Sequence, residues 1–335
     1  MRLPPFAYHS PDTLDKALKI KGELGASAPI LAGGTDLLVN LKHRLASPAA
    51  VISLKKIRRM RGIELKADSL VLRAGTPLRD VAAHEAVIRN FPLLVKAVHS
   101  IGAVGIQHFR GTIGGNLCLT PRCLFYNQSL FWRTGKGQCH RTGGKVCLAL
   151  KGSESCQAIC AGDTVPVLAA LSAQLTIAGT GGVRTASIAD FFTGKGESPF
   201  TMTPEEILTE IRIPLPWGPL SSSYQKLSFR SAVDFPLINA AAAAILDKGK
   251  IESFRLVISA AGPAPVILKE IEAAIKGQQP DPALLQPVRE AAVKAVEGVI
   301  IENASASKEY RVKLAAVAAV RAAGQALGLQ ELPEA

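Results

Sequence analysis

Six cysteines are the first residues in this 335-residue chain whose arrangement points to chemistry. Cys118, Cys123, Cys139, Cys147, Cys156 and Cys160 fall within residues 118–160, and no other cysteine occurs. Thiols that merely pack have no reason to gather, so the clustering argues for a bound metal centre. Successive intervals of 4, 15, 7, 8 and 3 residues lack the paired C-x-x-C knuckles of a zinc ribbon. Four thiolates on an irregular, glycine-rich loop suit a 4Fe–4S cube, whose ligands can come from separate turns. Zinc stands second and disulfides a distant third. His140, beside Cys139, reads as a solvated loop histidine.

Two glycine-rich segments form the second constellation: Leu31-Ala32-Gly33-Gly34-Thr35-Asp36-Leu37 and Gly111–Asn116 (GTIGGN). Paired glycines let backbone N–H groups approach a phosphate with no Cβ in the way. Thr35 and Asn116 could add side-chain hydrogen bonds, and the helical run after Thr35 would present its N-terminus to an anion. Either segment alone is as readily a tight turn; together they favour a dinucleotide. No G-x-x-x-x-G-K-[ST] is present, and Gly33-Gly34 completes no G-x-G-x-x-G.

The elements that must position these residues alternate. Helical spacing covers Pro11–Leu24 and Leu37–Arg44, with strands at Pro29–Ala32 and Val51–Leu54. Glu64–Arg73 reads as a hairpin and Leu78–His99 as two helical pieces broken near Pro92. After the cysteines come a helix at Val165–Ala173, a hairpin turning at Thr180-Gly181-Gly182, and a strand ending at Pro214. The stretch Pro214–Ser223 marks a domain boundary. Beyond it, strands at Tyr224–Arg230, Ala240–Leu246 and Ser253–Ser259 precede helices at Val266–Lys276, Pro282–Val296 and Lys308–Leu327. Hairpins interrupt the βαβ rhythm, so the fold class is α+β rather than doubly wound.

Composition narrows the function. Thirty-nine Lys and Arg against 27 Asp and Glu give a net charge of +12, which invites acidic partners or cofactors. Basic residues are scattered and aromatics make up only 5%, which disfavours nucleic acid. No apolar run is long enough to span a membrane, and the opening MRLPPF lacks a signal-peptide core, so a cytoplasmic protein with reduced thiols is expected.

The segments LAGGTDL and TIGGN resemble the FAD-binding subunits of the molybdenum hydroxylase (xanthine dehydrogenase) family. GGNLCLTPRCLFYNQS, with the cysteines that follow, is similar to the branch formed by the β subunits of 4-hydroxybenzoyl-CoA reductases, which carry a 4Fe–4S loop insertion. Thr120-Pro121 departs from that branch, where an acidic residue is expected. The resemblance implies a two-part FAD-binding domain over 1–220 (about 1–55 and 56–220), an iron–sulfur insertion at 118–160, and a smaller C-terminal α+β domain over 221–335. By the same resemblance, Leu31–Leu37, Thr112, Gly115 and Asn116 hold the FAD pyrophosphate and ribitol, Asp163 meets the cofactor, Leu208 touches the isoalloxazine, and Lys226 lies near the flavin. Cys123, Cys139, Cys147 and Cys156 match the cluster ligands, which leaves Cys118 and Cys160 as buried thiols.

What the resemblance implies functionally is an electron-transfer subunit with no acid–base residue of its own. Its partners would be a large subunit with the molybdenum cofactor and a small subunit with two 2Fe–2S clusters, in a dimer of heterotrimers. Reduced ferredoxin would be the donor, docking on the basic insertion, for reductive dehydroxylation of 4-hydroxybenzoyl-CoA to benzoyl-CoA. The alternatives are a subunit of another aromatic or heteroaromatic molybdenum enzyme, or a zinc-stabilised non-catalytic assembly module.

Overall fold

Three sheets, each with its own helices, carry the chain in the computed structural model, which describes residues 2–302 and 306–329. The first begins with β1 (Ala7–His9) and α1 (Leu14–Leu24), whose N-cap Thr13 accepts from the Lys16 N–H and whose end falls at Gly25, φ 50°. β2 (Ile30–Leu31), α2 (Leu37–Lys42) and β3 (Ala50–Ser53) follow. The fully buried β3, with Ala50, Val51 and Ile52 ahead of Ser53, sits centrally in a parallel sheet of order β1-β3-β2.

The expected hairpin forms as β4 (Ile63–Leu65) and β5 (Ser69–Arg73). Leu78–His99, expected in two helical pieces, divides into three: α3 (Leu78–Ala83), α4 (Glu85–Asn90) and α5 (Pro92–His99). His84 takes an extended conformation between the first two, and Phe91, restricted by the proline after it, separates the others. The segment GTIGGN, expected as a loop, instead contains a short helix, α6 (Ile113–Leu117), because Thr112 caps it by accepting from the Gly115 N–H at 3.0 Å. After α7 (Leu130–Thr134), within the cysteine segment, come α8 (Thr164–Ala170), β6 (Gln174–Gly179), β7 (Gly182–Ser187), α9 (Ile188–Phe191) and β8 (Ile207–Pro214). The antiparallel order is β4-β5-β8-β6-β7.

The third sheet, order β12-β11-β10-β9, is built from β9 (Leu220–Leu227), β10 (Ile238–Asp247), β11 (Lys250–Ser259) and β12 (Val266–Ile267). It is joined by α10 (Lys269–Ile275), α11 (Leu285–Glu297) and α12 (Lys308–Ala326). The stretch expected to be helical from Val266 thus opens as a strand, pairing Val266 with Ile258. Alanines 240–244 of β10 serve both faces. Ala241 and Ala243 join the core of the first two sheets, while Ala240, Ala242 and Ala244 pack in the C-terminal core with α12. Arg311 of α12 is wholly buried, with its guanidinium donating to the carbonyls of Leu237, Ala260 and Ile301. The last residues of the expected C-terminal domain, 330–335, lie outside the described residues.

The cysteine segment has a narrow neck. Arg122 and Ile159 pair as an antiparallel bridge, N···O 2.8 and 2.7 Å. One residue on, Cys160 donates to the Gly262 carbonyl at 2.9 Å and accepts from the Ala260 N–H at 3.1 Å, which ties the exit to the C-terminal sheet. Among the described residues, no helix is long and apolar enough to cross a membrane.

Candidate flavin cleft and cysteine segment

A cleft of about 470 Å³ opens where the three sheets meet, within the size range of cofactor sites. Ala32 to Leu37 line one side and Thr112, Gly114, Gly115 and Asn116 the other. The two glycine segments, 80 residues apart in sequence, therefore face the same space. Leu31 does not line it; it pairs with Ser53 in β2. The glycines have different reasons to be there. Gly34 holds φ +79°, a left-handed conformation that L side chains rarely adopt. A Cβ on Gly33 would run into the Arg110 carbonyl, so that glycine allows the two segments to touch. A Cβ on Gly115 would meet only Thr112 Oγ1, at 2.9 Å. All three leave bare backbone lining the cleft, a surface that fits a dinucleotide.

Asn116 is committed to the scaffold: its Oδ1 accepts from Thr164 N at 3.0 Å and Thr164 Oγ1 at 2.7 Å, which fixes α6 to α8. Leu208, buried at the start of β8, lines the cleft. Asp163 also reaches it, yet its carboxylate is held from behind. Tyr224 donates its hydroxyl to Oδ1 at 2.9 Å, and the Lys226 ammonium lies 3.1 Å from the same oxygen. Lys226 further donates to the carbonyls of Ser100 (2.8 Å) and Asp234 (2.9 Å). It thus lies off the cleft lining, behind Asp163. Burial pushes the Asp163 carboxyl up to about 6, against the opposing pull of Lys226.

A family model described as the FAD-binding domain in molybdopterin dehydrogenase matches residues 4–216, and the CO dehydrogenase flavoprotein C-terminal domain matches residues 222–326. The chain belongs to this molybdopterin dehydrogenase FAD-binding family. The carbon monoxide dehydrogenase medium chain of Hydrogenophaga pseudoflava is 36% identical over 114 residues, 34% of this chain and 39% of that protein. The xanthine dehydrogenase FAD-binding subunit of Escherichia coli O157:H7 is 27% identical across 92% of this chain and 91% of its own length. In structure, the chain is similar to one from the carbon monoxide dehydrogenase of Hydrogenophaga pseudoflava, with TM-score 0.82, 24% identity, and 98% of this chain and 99% of that one covered. This flavoprotein is an oxidoreductase subunit, and the α+β architecture expected from its sequence is that of the family.

Within this molybdopterin dehydrogenase flavoprotein, the cysteines divide by position. Cys118 lines the candidate cleft, where burial raises its thiol to about 12. Cys160 is buried at the neck and raised to about 11. Burial raises the thiol of Cys123 and lifts that of Cys156 to about 11, with Arg141 pulling both the other way. Cys139 accepts a 3.6 Å contact at Sγ from the Thr142 hydroxyl. Among the described residues, no three His, Cys, Asp or Glu side chains are grouped to hold a single metal ion. This holds alike for the zinc site and for the cluster weighed from the spacings, and does not choose between them.

Sequence reasoning missed part of the cleft wall. Arg122, at the neck, and Val233, Asp234 and Phe235, from the loop after β9, complete it. Nothing local marks Phe235, which reaches the cleft only because its domain folds back. Two basic residues also have roles that their charge does not suggest. Arg133 donates to the Arg44 carbonyl at 2.6 Å, and Arg141 donates to the Pro121 carbonyl at 2.8 Å while its guanidinium lies over Tyr126.

Proposed function

We propose that the chain is the electron-transfer flavoprotein subunit of a molybdenum enzyme of the 4-hydroxybenzoyl-CoA reductase type, with a 4Fe–4S cluster held by Cys123, Cys139, Cys147 and Cys156. The observation that carries this reading is the position of the cysteine segment, whose neck residue Arg122 lines the same cleft as both glycine segments. Bound FAD supplies one- and two-electron chemistry, and a cluster supplies one-electron chemistry. The chain's own residues bind and orient. The Gly33–Thr35 and Thr112–Asn116 segments cradle the dinucleotide, Leu208 presents an apolar surface, and Asp163, backed by Lys226 and Tyr224, presents a fixed acceptor. The cluster rests on this chain's cysteines; the family description names FAD alone.

The partners proposed are a large subunit with the molybdenum cofactor and a small subunit with two 2Fe–2S clusters, assembled as a dimer of heterotrimers in the cytoplasm. Reduced ferredoxin is the proposed donor. The similarity to a protein named as a xanthine dehydrogenase FAD-binding subunit favours a second reading, in which the same subunit serves a heteroaromatic dehydrogenase. Purification of the complete complex separates the two. Flavin, iron and sulfide analysis with stoichiometric FAD and four extra irons per protomer, and benzoyl-CoA formed from 4-hydroxybenzoyl-CoA with reduced ferredoxin, supports the first. Oxidation of a purine or other heteroaromatic, with no benzoyl-CoA formed, supports the second. A complex whose iron is fully accounted for by 2Fe–2S centres removes the cluster.

A further inference from the structure

The helix that follows the first glycine segment is gripped at both ends by the cysteine segment. At its start, Asp36 is the N-cap of α2 and directly follows Thr35; Arg122 forms an ion pair with it. Just past its far end, in the turn beyond the C-cap His43, the Tyr126 hydroxyl donates to the Leu45 carbonyl at 3.1 Å and Arg133 donates to the Arg44 carbonyl at 2.6 Å. These three side chains are themselves braced. The Arg122 backbone is locked in the neck bridge with Ile159 and its guanidinium lies 4.7 Å from the Phe235 ring centroid. Tyr126 has the Arg141 guanidinium 3.6 Å from its ring centroid.

The grip matters because α2 has little else to hold it. It is six residues long, and only Asn40 and Leu41 are buried. A helix this short, with this little burial, belongs to the low-stability end of a fold unless tertiary contacts fix it. Gly33, Gly34 and Thr35 are continuous with its N-terminus, so wherever α2 sits, half of the dinucleotide cradle sits too.

We propose that Arg122, Tyr126 and Arg133 are positioning residues for FAD: the cysteine segment fixes α2, and through it sets the affinity of the first glycine segment for the flavin dinucleotide. This rests on the FAD assignment and needs no cluster. The coupling falls in the ordinary range for linked sites, about tenfold in affinity. The test is titration of deflavinated full-length protein with FAD, followed by quenching of flavin fluorescence, alongside thermal unfolding of each variant. Arg122→Gln is expected to weaken FAD binding about tenfold while unfolding stays cooperative, with smaller losses for Tyr126→Phe and Arg133→Gln. Arg122→Lys, which keeps a positive charge toward Asp36, is expected to recover part of the loss. Arg122 itself lines the cleft, so the far end of the helix carries the decisive test. Tyr126→Phe/Arg133→Gln, neither of which lines the cleft, binding FAD as tightly as wild type would overturn the proposal, as would Arg122→Gln binding within twofold of wild type. A wild-type protein that takes up no FAD would instead strike at the flavin assignment itself.

Discussion

The Lys226 ammonium lies 3.1 Å from Asp163 Oδ1, with the two side chains 10% and 6% exposed, and this pair pins the C-terminal sheet to the wall of the candidate cleft. Truncation of one partner leaves the other charge buried and unpaired, at a cost of about 3–5 kcal/mol. Lys226→Met should therefore destabilise the protein strongly in urea unfolding. The double variant Lys226→Met/Asp163→Asn should be more stable than Lys226→Met alone, because it removes the stranded carboxylate.

The same carboxylate gives the fold a pH dependence of defined sign. Asp163 titrates at about 6 in the folded protein, raised by burial, whereas an unfolded aspartate titrates near 3.9. Between these values the native state holds the extra proton. Asp163's contribution to stability is thus full below about pH 4, is lost as pH rises toward 6, and is flat above, with an upper bound of about 3 kcal/mol. Urea midpoints measured across pH 4–7 for wild type and Asp163→Asn should differ in slope within that window and run parallel above it.

The glycines separate structural from cofactor roles. Gly33→Ala drives a Cβ into the Arg110 carbonyl, so stability and FAD content should fall together, by about 3 kcal/mol in the first case. Gly115→Ala meets only the Thr112 hydroxyl, which costs at most the helix cap, about 1 kcal/mol. Gly115→Val should accordingly give folded protein that has lost flavin. Stoichiometric FAD in that variant would show that Gly115 does not face the cofactor.

These contrasts show what could be read from sequence and what could not. Gly34 was singled out with Gly33 as backbone for a phosphate, but its left-handed φ of +79° was not foreseen. Most β-strands, β3 among them, were legible as short β-prone runs, whereas β1 was missed and β12 was expected as helix. Gly33 looked like a phosphate contact, but its tightest constraint is Arg110, 77 residues away. The Asp163–Lys226 pair spans 63 positions and two sheets, and no local pattern encodes it. Arg133 and Arg141 read as free surface charge because the carbonyls they bind, those of Arg44 and Pro121, have no signature in a sequence.

The four proposed ligands and the two remaining thiols make opposite predictions. Cys123→Ser, Cys139→Ser, Cys147→Ser and Cys156→Ser should each lower iron and acid-labile sulfide, while Cys118→Ser and Cys160→Ser should retain both. Cys118→Ser places a hydroxyl in the cleft and should alter FAD affinity alone. Iron that survives Cys147→Ser but is lost in Cys160→Ser would show that a different set of four sulfurs binds the cluster.

Docking of the proposed electron donor is testable on lysines outside the bracing contacts, of which Lys136 lies over the Trp132 ring at 5.2 Å. Residues 118–160 carry a net charge of +5, and an acidic one-electron donor would be steered to such a surface. Reversal of Arg133 or Arg141 cannot isolate this effect, because both brace the segment through backbone carbonyls. Lys136, Lys145 and Lys151 are exposed, and none forms an ion pair among the described residues. Their triple change to Glu should slow stopped-flow reduction of the complex by ferredoxin at low salt, by about tenfold or more, and leave FAD and iron content unchanged. In the wild type the rate should fall steeply with ionic strength, and at high salt the two proteins should converge. Equal rates at low salt would remove the cysteine segment as the docking site of the proposed donor.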